Sequence, residues 1–228
     1  DIKSNMKLGL GLSLSSISPQ GVWSPDDEAT LEAWYQNAVG ITLDGSNVSR
    51  WNDSSSNGRD MVQLTDTEQP AYSSGTLTFN SAETQNLQTS GQIELSGAFT
   101  IGIKMTPTSF SNVVIADNTA PNEFMKITNS STIRIKIDTG VADFSLDSGT
   151  LGDDYIMFTR DSSDLITLYK NGVAQADTET KAGTVDIDCI GVRETDKNAY
   201  NGDIEEIQIY SSSSAALTAN VNDRLSSI

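Results

Sequence analysis

The sequence has no histidine and a single cysteine among its 228 residues. Without histidine, this chain cannot supply a Ser-His-Asp or Cys-His catalytic group or a histidine-ligated metal site. Because Cys189 is the single cysteine of the chain, an intramolecular disulfide framework is excluded. Any metal would be held by oxygen ligands, which favours Ca²⁺ or Mg²⁺ over zinc. We expect Cys189 to be a small buried residue in a strand.

Basic and aromatic residues are also scarce. Lysine and arginine total 14 against 31 acidic residues, which gives a net charge of −17 and a pI near 4.1. This charge disfavours nucleic acid or an anionic membrane as a partner. It is typical of a solvated surface, and the alternative is attraction to cations or function in salty surroundings. The 7% aromatic content argues against an extended sugar-stacking groove.

The segment 155–177 has the clearest local pattern, and it predicts three strands joined by two tight turns. Asn171-Gly172 favours a type I′ turn, since both residue types tolerate positive φ. The polar tetrad 161–164 favours the other turn. An isolated meander of this size is marginally stable in water, so a second layer must cover it. Further strands are predicted at 48–51, 76–79, 98–105, 113–116, 124–128, 132–137, 185–190 and 203–210.

Helical signals are confined to two places. Proline and acids at 25–28 predict a helical turn leading into ATLEAWYQNA. Leu217, Val221 and Leu225 lie at helical spacing behind Thr218, which predicts one short helix with Thr218 as N-cap. With strands recurring at roughly 8–12 residues, the pattern predicts an all-β, two-sheet antiparallel jelly-roll sandwich over residues 22–228.

Residues 1–21 are predicted to form an extended N-terminal arm, which Pro19 and Gly21 separate from the domain. Leucines alternate there with glycine and serine, so one face is apolar and the other permits close backbone approach. The arm would add a strand to a neighbouring subunit. Two alternatives are a signal peptide behind Lys7 and the first strand of the sandwich. The leucines of the assembly face are Leu8, Leu10, Leu12 and Leu14.

Four segments resemble the concanavalin A-like (LamG-like) jelly-roll domains, over about residues 30–228. They are WYQNA followed by ITLDGSNVSRWNDSSSNGRD, then LTFNSAETQNLQ, DDYIMFTRDSSDLITLYKNGV and YNGDIEEIQIYSSSSAALTANV. The family's acidic Phe-Asp-Gly turn is replaced here by residues 80–83, NSAE. This departure weakens the case for an inherited Ca²⁺ site, so we expect no cofactor, with Ca²⁺ as the alternative. The start KLGLGLSLS is similar to those of virion proteins from tailed bacteriophages.

These resemblances imply three functions. The first is a virion structural or decoration protein of a capsid, tail or fibre, anchored by its arm to other virion subunits. Such a protein would be a homo-oligomer or capsid-bound, located in the virion or outside the cell. The alternative is a carbohydrate-binding module of a secreted or surface protein that contacts cell-surface glycans. The third is a glycan hydrolase or lyase.

The loop 51–60 offers the residue types that bind sugars, namely an aromatic ring beside amides and carboxylates. The candidate ligand-binding residues are Trp51, Asn52, Asp53 and Asn57. The alternative interpretation places Trp51 in the core and gives Asp53 a turn-forming role.

Glycosidase chemistry needs paired carboxylates that face a cleft. Retaining glucanases of the resembled fold carry Glu-x-Asp-x-(x)-Glu on one strand. Here Asp203 and Glu205 share a strand face, Glu206 points the other way, and Asp186 and Asp188 lack a third acid. We therefore expect no catalytic residues and no enzyme activity.

Overall fold

The computed structural model describes residues 23–119, 124–193 and 197–228. The predicted arm, with its four leucines, lies outside these described residues. The described part is all-β and antiparallel with one short helix, as the sequence predicts. None of its helices has the length and hydropathy needed to cross a membrane.

The strands are short and follow one another closely along the chain. The first nine are β1 (Leu31–Tyr35), β2 (Ile41–Asp44), β3 (Asn47–Trp51), β4 (Met61–Val62), β5 (Ala71–Ser73), β6 (Thr76–Phe79), β7 (Leu87–Leu95), β8 (Phe99–Pro107) and β9 (Asn112–Ala116). The rest are β10 (Phe124–Asn129), β11 (Thr132–Ile137), β12 (Gly140–Ser145), β13 (Asp154–Arg160), β14 (Leu165–Lys170), β15 (Val173–Thr180), β16 (Val185–Ile190) and β17 (Gly202–Tyr210), followed by helix α1 (Ala215–Ser226).

The antiparallel pairings connect the strands in two long runs. In the first run, β17 pairs with β1 and β6 at one edge and with β8 at the other, and β13, β14 and β15 follow. The second run is β4, β7, β16, β9, β10, β11 and β12. Strand β3 pairs with β2, β4 and β5, and β5 pairs with β6, so this region links the runs.

One hydrophobic core receives side chains from both runs. Ile101, Ile156 and Ile207 come from the first, and Ile135 and Ile187 come from the second. Alternation along each strand places these residues on its core face. Removal of this apolar surface from water is the main stabilising term of the fold.

Helix α1 packs on the opposite face of the first run. Leu217, Val221 and Leu225 are buried there against a second apolar cluster that includes Met157. A Cβ at Gly102 would lie 2.7 Å from Val221 Cγ1, so only glycine leaves room for the helix at this distance. The position of α1 is therefore encoded in β8 as well as in the helix.

The predicted meander is confirmed as β13, β14 and β15, and Asn171 and Gly172 both have positive φ. Cys189 is fully buried in β16, as expected. The Thr218 N-cap is wrong, because α1 begins one turn earlier and the Ser214 hydroxyl accepts a hydrogen bond from the Leu217 amide.

The N-terminal helical turn is confined to a 3-10 helix at Pro25–Asp27. The segment after it forms β1, because pairing with β17 overrides the local helix propensity. Strands β2, β4, β5, β7 and β12 are absent from the sequence-based prediction. The centre of β7, TSGQ, resembles a turn but is an exposed part of the strand.

The Glu206 carboxylate is fully buried and joins three elements. It accepts hydrogen bonds from Trp34 Nε1 of β1 at 3.0 Å and from the Asn37 backbone amide at 3.1 Å. Gln208 Nε2 donates to it at 2.8 Å. Arg224 of α1 donates through Nε at 3.0 Å and Nη2 at 2.6 Å. These contacts fix β1 and α1 relative to β17.

We predict that Glu206→Gln lowers the free energy of unfolding by about 3 kcal/mol, because it leaves the partly buried Arg224 without its counter-charge. Urea unfolding at pH 7 measures the change. The matched control is Asp143→Asn, which breaks the exposed Arg134 ion pair and should cost less than about 1 kcal/mol. Equal losses in the two variants would contradict the role given to Glu206.

Candidate functional site

The loop 51–60 is held together by the Asp53 carboxylate. Its Oδ1 accepts hydrogen bonds from the Trp34 and Ser55 backbone amides, both at 2.9 Å. Its Oδ2 accepts from Ser55 Oγ at 2.7 Å and from the Arg59 amide at 3.0 Å. Asp60 Oδ1 in turn accepts from the Asp53 amide at 3.0 Å. Asp53 therefore uses both oxygens to shape the loop.

The other three candidate residues of this loop differ in their burial and in their hydrogen bonds. Trp51 has no exposed surface, and its Nε1 donates to the Gln36 carbonyl at 3.1 Å. Asn57 Nδ2 donates to the carbonyls of Leu31 and Glu32 at 2.9 and 3.0 Å, which ties the loop to β1. Asn52 is exposed. The ring of Trp51 is thus closed to a ligand, whereas a ligand role for the loop as a whole stays a prediction.

Beside this loop lies an open cleft of about 750 Å³. Its floor crosses the paired strands β3, β4 and β7, and the end of the loop forms one wall. Most of its lining side chains carry hydrogen-bonding groups. They are Arg50, Asp60, Gln63, Glu68, Gln88, Thr89, Ser90 and Asn118.

A network of amides fixes one side of the cleft. Gln63 Nε2 donates to Glu68 Oε2 and to Asn86 Oδ1, both at 3.1 Å. Gln88 Nε2 donates to the same Asn86 oxygen at 3.0 Å. Shared partners restrict the rotamers of these side chains, so their remaining donors and acceptors are preorganised.

The lining of the cleft also includes charged side chains and an unused acceptor. Arg50 Nη1 lies 3.1 Å from Asp60 Oδ2, and both side chains are partly exposed. Asn118 Oδ1 is buried without a hydrogen-bond partner among the described residues. Buried polar atoms are seldom left unpaired, so this acceptor is available to a bound hydroxyl or water.

Several acidic residues lie close together on β16, the strand that pairs with β7 next to the cleft. Asp186 lies directly opposite Glu94 of β7. Burial raises the pKa of Asp186, and the charges of Glu94 and Asp117 raise it further. Burial also raises the pKa of Asp188, although the Asn118 amide, which donates to Asp188 Oδ1 at 2.7 Å, opposes this shift. In the chain segments that the structure describes, no three or more Asp, Glu or Cys side chains lie close enough together to hold a metal ion.

The acids of β17 are separated from one another. Glu206 is buried against Arg224 and cannot reach a substrate. Asp203 Oδ1 accepts a hydrogen bond from Thr78 Oγ1 at 2.6 Å. Glu205 is half-buried, and burial raises its pKa. The sequence motif does not place these three carboxylates together at a cleft.

Sequence reasoning missed most of the cleft, because its residues come from separate stretches of the chain. Arg50 follows Val48 in a predicted strand and Gln88 ends the family-like segment LTFNSAETQNLQ, but Gln63 and Asn118 lie in segments without a recognisable motif. Only the pairing of β3, β4 and β7 brings these residues together. An excess of amide side chains at 85–92 is the one local signal that could have been noticed.

Three solved structures share this fold at TM-scores above 0.5. The binding domain of Paraclostridial Mosquitocidal Protein 1 is 14% identical, with 90% of this chain and 53% of that one covered, at a TM-score of 0.57. Domain 4 of AbnA, a GH43 extracellular arabinanase from Geobacillus stearothermophilus, is 17% identical, with 86% of this chain and 98% of that one covered, at a TM-score of 0.54. The binding domain of botulinum neurotoxin DC is 15% identical, with 90% of this chain and 52% of that one covered, at a TM-score of 0.51.

The chain therefore spans about half the length of the two toxin domains. No family model and no curated protein matches its sequence. At these low identities the likeness concerns the fold alone, which is all-β and antiparallel. Membership of the concanavalin A-like or LamG-like family stays a prediction.

We predict that Trp51→Ala lowers the free energy of unfolding by about 3–5 kcal/mol, because it empties a large core position beside Tyr35. Chemical denaturation measures the loss. Val173→Ala, at a position 64% exposed, is the control and should change stability by less than about 0.5 kcal/mol. A folded Trp51→Ala variant of unchanged stability would show that this ring does not support the core.

We predict that Asp186→Asn stabilises the protein at pH 7. The folded-state pKa of Asp186 is raised above its unfolded value, so its favourable contribution is complete below about pH 4 and is lost as pH rises through the folded pKa. Asparagine cannot ionise, so the variant does not lose this stability as the pH rises. Urea midpoints at pH 7, 5 and 3.5 should show a gain that shrinks as pH falls.

The control for this pH dependence is Asp143→Asn. The Arg134 hydrogen bond lowers the pKa of Asp143, so its stabilising contribution is present above the unfolded pKa and disappears as pH falls. Asp143→Asn should therefore lower stability at pH 7. A gain from Asp186→Asn that is independent of pH would contradict the electrostatic explanation.

Proposed function

We propose that this chain is a carbohydrate-binding module and that the cleft beside the loop 51–60 binds the glycan. In this proposal, the two runs of strands are the two sheets of a jelly-roll sandwich, and the cleft lies on the outer face of one sheet. The observation that carries the proposal is the density of fixed hydrogen-bonding side chains in one concave surface.

The chemistry of the cleft suits a polyhydroxylated ligand. A sugar hydroxyl both donates and accepts, so its site must offer both kinds of partner at short range. Amides provide a donor and an acceptor on one side chain, Arg50 donates, and Asp60 and Glu68 accept. Held in place by one another, these groups lose little freedom when a glycan binds.

The structural likenesses support this interpretation. Domain 4 of AbnA was solved in complex with arabinotriose, and the botulinum neurotoxin domain in complex with SialylT. The two toxin structures are of binding domains. We therefore propose binding without hydrolysis.

We prefer the carbohydrate-binding function to the virion structural function that the sequence first suggested. None of the three similar structures is described as a virion protein. The arm that would anchor the chain to other virion subunits lies outside the described residues. Location outside the cell stays a prediction from the sequence.

We predict that the wild-type chain binds glycans on an array of neutral and acidic oligosaccharides. The double variant Arg50→Ala/Gln88→Ala should weaken binding at least tenfold, since each change removes a hydrogen bond of roughly 1 kcal/mol. Isothermal titration with the strongest array ligand measures the loss.

The matched control is Arg134→Ala, which removes an arginine in another partly exposed ion pair, away from the cleft. It should bind as the wild type does. Arg50 is about half exposed, so its replacement should leave the fold intact, which the melting temperature verifies. Undiminished affinity in the double variant, or no binding by the wild type, would refute the proposal.

A further inference from the structure

A second groove lies between the start of α1 and strands β13 and β14, on the face of the first run that carries the helix. Its volume is about 570 Å³. Thr159 and Thr167 line its floor, and Tyr169, Thr218 and Asn222 line its sides. The cleft of the loop 51–60 shares none of these residues.

A row of threonines crosses the sheet at this groove. Thr159 pairs with Thr100 of β8 on one side and with Thr167 of β14 on the other, and Thr167 pairs with Thr178 of β15. Adjacent strands are about 4.8 Å apart, so the row presents hydroxyl groups at that repeat. Thr100 Oγ1 donates to the Ser212 carbonyl at 2.9 Å. The hydroxyl proton of Thr100, the member of the row on β8, is therefore already used.

The hydroxyl of Thr159 is the decisive group. Thr159 is only 6% exposed, and its Oγ1 forms no hydrogen bond with any residue that the structure describes. The oxygen itself is not fully buried, so the hydroxyl opens to the groove that Thr159 lines. A ligand in the groove can therefore donate to this hydroxyl or accept from it.

Two further polar side chains at the groove can also form additional hydrogen bonds. Asn222 Oδ1 accepts a hydrogen bond from Tyr155 Oη at 2.9 Å, which fixes the orientation of the amide. In the described part of the chain, neither Asn222 Nδ2 nor the Tyr169 hydroxyl forms a hydrogen bond. The half-buried Tyr169 ring adds an amphipathic surface on which a sugar ring can pack.

We propose that this groove is a second saccharide site, specific for neutral sugars. No basic side chain lines it among the described residues, and its one acidic residue, Asp161, uses Oδ1 to accept from the Ser163 and Leu165 amides. Since the chain carries a charge of −17, an anionic ligand would be repelled. The volume is within the range of small-ligand sites.

This inference rests on the proposed carbohydrate-binding function but on a different set of residues. The test uses ¹⁵N-labelled protein titrated with arabinotetraose, xylotetraose, cellotetraose and mannotetraose, with trigalacturonic acid as the anionic comparison. Amide shifts at 159–169 and 213–222 report the groove, and shifts at 58–64 and 88–90 report the cleft. The fitted shifts give a separate Kd for each site.

At least one neutral tetrasaccharide should shift the groove amides, and trigalacturonic acid should not. Thr159→Val, which keeps the side-chain shape, and the pair Thr167→Val/Tyr169→Phe at less buried positions should each raise the groove Kd at least fivefold. Thr178→Val lies in the same threonine row outside the groove and should change the Kd less than twofold. The paired variant keeps the test valid if Thr159→Val does not fold.

The outcomes separate the two proposals. Shifts confined to the cleft would overturn the second site and leave the proposed function intact. Shifts confined to the groove would support the second site and overturn the assignment of the cleft. No shift with any of these sugars would overturn the second site, and the glycan array would then decide the function of the cleft. A groove Kd that the threonine and tyrosine changes leave unaltered would also overturn the inference.

Discussion

The buried carboxylate of Glu206 sets the constraint on which the arrangement of β1, β17 and α1 depends. A charge removed from water must be matched by donors at close range. Trp34 of β1 and the Asn37 amide just after β1 supply donors from one segment, and Arg224 supplies them from α1. The helix cannot slide without breaking the Arg224 contacts, and Gly102 lets it lie close to the sheet. One wall of the second groove is therefore fixed by an interaction that is not in the groove.

A second buried charge has a similar role where β7 turns into β8. The fully buried Arg160 donates to the carbonyls of Gly97 at 2.7 Å, Leu95 at 3.0 Å and Gly183 at 2.8 Å. It also lies 4.8 Å from the centroid of the Phe99 ring. Burial lowers its pKa, and the carbonyls around it compensate part of that cost. Apolar contacts hold the two runs of strands together, whereas these charges specify where individual loops attach.

The strands were largely predictable because alternation is a local property. Asn171-Gly172 fixed its hairpin through backbone conformation alone, and Leu217, Val221 and Leu225 revealed α1 by their spacing. The helix start was misplaced because Ser214 and Thr218 are chemically alike as caps, and tertiary packing decides between them. The cleft was not predictable, since β4 and β7 meet only through long-range pairing. Residue type also left Trp51 ambiguous, because an indole suits a core and a sugar site equally well.

Hydrogen-bonding capacity separates the structural polar residues of this protein from the candidate binding residues. Asp53 looks like a ligand contact in the sequence, but both of its oxygens are occupied by the loop. Thr159 looks like an ordinary strand residue, but it lines a groove and its hydroxyl is unused by the described residues. An occupied carboxylate gains little from a ligand, whereas an unused hydroxyl that opens to a groove can bind one. Composition cannot distinguish the two cases, because the distinction arises only when the strands assemble.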